Sequence, residues 1–229
     1  MTDLVFDSSA LISLATNSLL PKLEELKSKF NGKFLITESV KKEILDHPLH
    51  SNKFKFEAIM ISNLLQQNIL KLFTNLNMEK KSMRLLDLCN NIFIARGNPV
   101  KILDRAEVEA LVLSITSNAV YAVDERTIRL LVEDPRKLSQ LLERKFDTKI
   151  IIDQKNLAAF KSEIKDVQII RSAELMAVAF ELGLFKEYET KYLENPRKDI
   201  LEGILWGLRL RGCAISTEEI YDIIKLERV

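Results

Sequence analysis

Cysteine is scarce: only Cys89 and Cys213 occur in 229 residues, far apart in sequence, which argues against a disulfide scaffold and against a cysteine-based zinc site. Such usage suits a reducing cytoplasmic compartment. The two histidines, His47 and His50, share one loop, so neither a His-rich site for a soft metal nor a serine-hydrolase triad finds its parts here, and no G-x-S-x-G elbow is present. The 6 glycines form no G-x-x-x-x-G-K phosphate loop and no G-x-G-x-x-G dinucleotide turn. A formal net charge of +1 removes any global field that would announce nucleic acid, while leaving room for a local basic patch. Long apolar runs are missing too. The opening MTDLVFD has no basic stretch leading into an apolar core, and the most apolar segment, residues 173–185, is interrupted by Glu174 and Glu181. A cytoplasmic protein without a membrane segment is the expectation.

What is present is a 47% share of hydrophobic side chains, enough for one large domain or a domain with an extension. Leu4, Val5 and Phe6 read as a short buried strand ending in Asp7. Residues 9–19 follow as a helix stopped or restarted by Pro21, with an amphipathic stretch at 23–30. Asn31-Gly32 turns the chain into a strand at 33–36. A helix at 37–45 then sets Glu43 beside Val40 and Ile44, and Asp46-His47-Pro48 is expected to end it. Residues 54–67 are helical, 69–73 read as strand or helix, 83–95 as helix and 96–99 as a loop. A helix starts at Asp104, residues 119–123 make a buried parallel strand, and a helix runs from there through Val132 to stop before Asp134-Pro135. Helices at 138–145 and 154–165 alternate with strands at 149–152 and 167–170, and a helical tail covers 173–185, 199–210 and 217–226.

The acids at the ends of these segments are the chemistry-bearing residues. Asp7 and Asp124 each follow a strand, and in α/β folds the rim where strands emerge is where ligands bind. Asp104 and Glu107 have the spacing of a capping box, which gives Glu107 a local role and leaves Glu109 without one. Taken singly, Asp7 and Asp124 read as helix caps, and Glu43 and Glu109 as solvated acids. Taken together, four carboxylates sharing a pocket need a cation to offset their repulsion, and oxygen donors suit a hard divalent ion. Glu125 competes with Asp124 for the place at its strand end; Asp124 is preferred because the first position after a strand points at the rim.

In their order these segments resemble the PIN domain, a family of metal-dependent nucleases that includes the toxin ribonucleases of toxin–antitoxin pairs. Residues 4–12 match its opening strand, aspartate and hydroxyl pattern, 37–44 its second acid-bearing helix, 104–113 a glutamate variant of its third motif, and 122–129 its fourth. The tail from Leu205-Trp206 through Gly212 to Tyr221 is similar to the C-terminal part of a prokaryotic subfamily. The resemblance implies a three-layer α/β fold with a central parallel sheet over residues 1–172, helical insertions near 51–100 and 133–165, and a helical extension at 173–229. It implies phosphodiester hydrolysis of RNA, with Asp7, Glu43, Glu109 and Asp124 holding Mg²⁺ or Mn²⁺ and Ser9 orienting a carboxylate or a metal-bound water. RNA against structured DNA stays open, as does a non-catalytic scaffold that keeps the fold. An antitoxin or other protein partner is implied as well, and the tail helices read as core or as homodimer packing.

Overall fold

The computed structural model describes residues 2–74 and 78–228. β1 (Leu4–Phe6) is buried throughout and passes at Asp7 into α1 (Ser8–Thr16) and then α2 (Leu20–Lys29). Pro21 lies in the first turn of α2, where an N–H has no helical partner in any case, so it restarts the helix at little cost. In β2 (Phe34–Thr37) every residue is buried, and the Thr37 hydroxyl accepts the Val40 N–H at 3.2 Å to cap α3 (Glu38–Lys41). The helix then widens through one π turn, Lys42–Asp46, and continues into α4 (His47–Leu49). The stop expected at Asp46-His47-Pro48 is therefore a continuation, because Pro48 again occupies a first turn.

α5 (Lys55–Gln66) leads to β3 (Leu70–Phe73), so the segment whose sequence reads either way is a strand. The helix expected at 83–95 is corrected: α6 (Met78–Asn90) ends earlier, and β4 (Phe93–Ala95) follows. Asn90 sets that end, its side chain accepting the N–H groups of Ile102 and Leu103 at 2.8 and 3.0 Å and donating to the Leu103 carbonyl at 3.0 Å. Arg96 and Gly97, both at positive φ, make the two-residue turn of a hairpin to β5 (Asn98–Pro99). After α7 (Arg105–Ser117) come β6 (Val120–Ala122), α8 (Arg126–Glu133), α9 (Pro135–Phe146), β7 (Ile150–Ile152), α10 (Gln154–Glu163) and β8 (Ile169–Ile170). The tail is α11 (Ser172–Glu181), α12 (Pro196–Leu210) and α13 (Thr217–Leu226).

Five strands form the central sheet in the order β3-β2-β1-β6-β8, all parallel, with helices flanking it. The chain builds outward from β1 to β3, then returns to add β6 and β8 on the other side of β1. The switch point thus falls between β1 and β6, which pair in the register Leu4 with Val120 and Phe6 with Ala122. β7 lies outside this sheet and pairs antiparallel with β4 in a three-stranded sheet with β5. Phe6 and Phe34 meet edge to face at 5.3 Å in the core, and Ala173, Leu201, Leu205 and Ile220 of the tail belong to the same apolar cluster. Among the described residues no helix is long and apolar enough to cross a membrane.

Candidate functional site

Asp7 stands at the carboxyl end of the central strand, at the switch point, and is 1% exposed. Its Oδ2 caps α1, accepting the Ser9 N–H at 3.0 Å and the Ser9 hydroxyl at 2.5 Å. Its Oδ1 is buried with no hydrogen-bond partner. A cap needs only one of the two oxygens, so capping explains half of this carboxylate and leaves the other half for something else. Ser9 also ties the two strand ends together: its Oγ accepts the N–H groups of Asp124 and Glu125 at 3.0 and 3.2 Å.

The electrostatics gather a set of acids around Asp7. Burial pushes Asp7 from its ordinary 3.8 up to about 6, opposed by the Ser9 bonds and reinforced by the charges of Glu43 and Asp104. Glu107 is pushed from 4.5 to about 9, mainly by burial, with Asp7, Asp104 and Glu125 adding to the rise against the N–H that Asp104 donates to it. Glu43 is raised by burial and by Asp104, against the Ser8 hydroxyl beside it. It rides on the π turn, an irregularity often found at functional positions. Beneath the acids the buried Tyr121 hydroxyl donates to the Glu107 carbonyl at 3.2 Å.

Of the residues singled out from sequence, Asp7, Ser9 and Glu43 come together. Glu109 and Asp124 are taken up elsewhere. Glu109 accepts the Arg105 Nε–H at 2.6 Å and lines a cavity of about 790 Å³ with Thr37, Lys42, Phe73, Met78 and Arg105. Asp124 is fully buried and binds the start of α11: the Ser172 N–H donates to Oδ1 at 2.8 Å and the Ser172 hydroxyl to Oδ2 at 2.6 Å. Both its oxygens are engaged by the fold. The further acid in the field of Asp7 is Glu107, for which the capping box with Asp104 is a sufficient reading of the sequence; Glu125, the rival at the strand end, adds to the field on Glu107 while its Oε1 caps α8 by accepting the Thr127 N–H and hydroxyl at 3.1 and 2.7 Å. The capping box does form, but a carboxyl group that accepts one backbone N–H on one oxygen still has its other oxygen to offer. Helical spacing does not separate the two glutamates: Glu107 shares a stripe with the buried Ala110, Leu111 and Ser114, and Glu109, turned by about 200°, shares one with the buried Val112 and Leu113.

The role of Asp124 is testable through stability. Asp124→Ala leaves the Ser172 N–H and hydroxyl buried without acceptors, so it should cost roughly 2–3 kcal/mol, read as a lowered midpoint in urea unfolding. An unchanged midpoint would return Asp124 to the candidate ligands.

The donor set suits a hard divalent cation in chemistry: carboxyl oxygens only, and one buried carboxylate oxygen without a partner. Among the described residues, no three His, Cys, Asp or Glu side chains are close enough to form a ligating group, so the acids act on one another through their fields and not as an assembled cage. Searches against family models, curated proteins and solved structures found no match to this chain.

Proposed function

We propose that the chain is a PIN-type nuclease that hydrolyses phosphodiester bonds of RNA with Mg²⁺ or Mn²⁺. One observation carries this reading: the half-partnered, buried Asp7 carboxylate at the β1/β6 switch point, in the field of Glu43, Asp104 and Glu107, where burial and neighbouring acids disfavour ionisation and a cation would favour it. Asp7 and Glu43 would hold the ion, with water completing its coordination, since no three acids among the described residues are close enough to ligate one ion. A divalent ion held there would supply Lewis acidity toward a phosphoryl oxygen and would lower the pKa of a bound water. The chain itself does the positioning. Ser9 fixes Asp7 Oδ2 and the backbone of residues 124 and 125, so that the free Oδ1 keeps its aim, and Asp104 holds Glu107 through its N–H.

A second reading, a scaffold that keeps the fold and binds a partner without cleaving, is favoured by the lack of an assembled ligating group among the described residues and by the commitment of Asp124 to Ser172. Incubating the purified chain with single-stranded RNA in Mn²⁺ and in chelator separates the two. Cleavage that requires the metal supports the nuclease; intact RNA and DNA under both conditions supports the scaffold.

A further inference from the structure

A second cavity, of about 590 Å³, opens between α8, α9 and the corner that joins α12 to α13. Its wall carries Arg126, Arg129, Lys137 and Arg209 together with Glu133, Asp134 and Glu219. Each of those acids is already engaged. Glu133 pairs with Arg129 at 3.1 Å, Glu219 with Arg171 at 2.8 Å, and Asp134 caps α9 by accepting the Lys137 N–H at 3.0 Å. Arg126, Lys137 and Arg209 join no ion pair among the described residues. The balance of unpaired charge is therefore positive, in a chain whose net charge is only +1. A further donor is in excess: Arg129 Nε is buried without a hydrogen-bond partner, while the same guanidinium donates to the Ala214 carbonyl at 3.1 Å.

The cavity lies on the same edge of the sheet as the acids. Arg126 follows Glu125 directly, and the Ala214 N–H donates to the Asp124 carbonyl at 3.2 Å, which fastens the tail's corner to the end of β6. A surplus of guanidinium and ammonium donors beside a cluster of carboxylates is the pattern that a polyanion needs if one of its phosphates is to approach acids through a cation.

We infer that this cavity seats a phosphodiester of the same nucleic-acid strand whose scissile bond lies at the Asp7 cluster, an assignment that rests on the nuclease reading. The tail is then part of the substrate surface: Arg209 and the 214–216 corner form one wall of the seat. Arg126 and Lys137, exposed at the rim, meet the strand backbone; Arg129 is a positioning residue that holds the corner in place through Ala214.

The test is anisotropy of a fluorescent twelve-nucleotide single-stranded RNA in chelator, titrated with the full chain across a range of salt, beside cleavage kinetics in Mn²⁺. Arg126→Ala with Lys137→Ala should weaken binding about tenfold and flatten the salt dependence by roughly 0.7 in log–log slope for each phosphate that the variant no longer neutralises. KM should rise with kcat unchanged. Arg126→Lys with Lys137→Arg should restore binding, and Lys80→Ala with Lys81→Ala, which removes the same charge from α6, should leave it alone. Thermal melting of each variant confirms folding. Wild-type binding and slope retained in the Arg126/Lys137 alanine pair overturns the inference while leaving the nuclease reading intact, as does an equal reduction in the Lys80/Lys81 pair. Competition by inorganic phosphate as strong, per phosphate, as competition by unlabelled RNA assigns the cavity to a free anion and overturns the strand. Wild type that neither binds nor cuts RNA removes both readings.

Discussion

Asp7→Asn is expected to abolish metal-dependent cleavage of RNA, by at least about 100-fold, while the chain stays folded. Replacing even a group that supports a metal ligand from outside typically costs 10–100-fold in activity or affinity, and Asp7 is placed to touch the ion itself. The substitution is conservative for everything else that Asp7 does. An asparagine Oδ1 still accepts the Ser9 N–H and hydroxyl, so the α1 cap survives. The amide nitrogen then takes the place of the unpartnered Oδ1 and offers donors toward the surrounding acids, so metal-free stability should equal or slightly exceed wild type. Glu43→Gln should lower cleavage in the same direction. Glu109→Gln should leave most activity in place, because Glu109 belongs to Arg105 and the neighbouring cavity. Wild-type cleavage by Asp7→Asn, measured with a labelled oligonucleotide under matched metal, would remove the site; a strong decrease in Glu109→Gln alone would move it into that cavity.

Sequence discloses the layers of this fold more fully than the membership of its site, for physical reasons that particular residues make plain. Buried parallel strands announce themselves as short apolar runs, so Leu4 to Phe6 and the strand ending before Asp124 can be read directly, along with the acids at their ends. The capping box of Asp104 and Glu107 can also be read, because it is a local pattern of fixed spacing. Which way a strand-end carboxylate turns is a tertiary matter. Asp124 goes to Ser172, 48 residues away, and no local signal marks that pairing. β4 hides in an apparent helix because Asn90 ends α6 through bonds to residues 102 and 103, a long-range cap that helical periodicity does not register. Glu107 escapes for another reason: its structural role in the capping box does not exclude a functional one, since a single carboxylate has oxygens enough for both.

Burial of these acids, reinforced by their neighbours' charges, should also make the metal-free protein less stable as pH rises, the reverse of ordinary acid denaturation. Asp7 and Glu107 have folded-state values of about 6 and about 9, raised from 3.8 and 4.5. A carboxyl group with a raised folded value contributes stability that is fully present below its unfolded value and is lost as pH climbs through its folded value, since unfolding frees it to ionise. The melting temperature in chelator should therefore fall from about pH 4 to about pH 9, through both groups up to about pH 6 and through Glu107 alone above it. Cys89 and Cys213, pushed by burial from 9.0 up to about 12, add to this slope only at the top of the window and beyond. Glu107→Gln cannot ionise and should flatten the fall. Mn²⁺ should oppose it, because a cation binds the ionised cluster, displaces its protons and stabilises the folded state by mass action. With free metal at about 100 times its dissociation constant the gain is roughly 2.7 kcal/mol, a rise of about 5–10 °C for a domain of this size. The increment should grow with pH and shrink in Asp7→Asn. A metal-free melting temperature that holds level or rises from pH 6 to 9, with no added stability from Mn²⁺ at pH 8, would mean that burial does not keep Glu107 protonated and that these acids hold no ion, and the nuclease reading would fall with them.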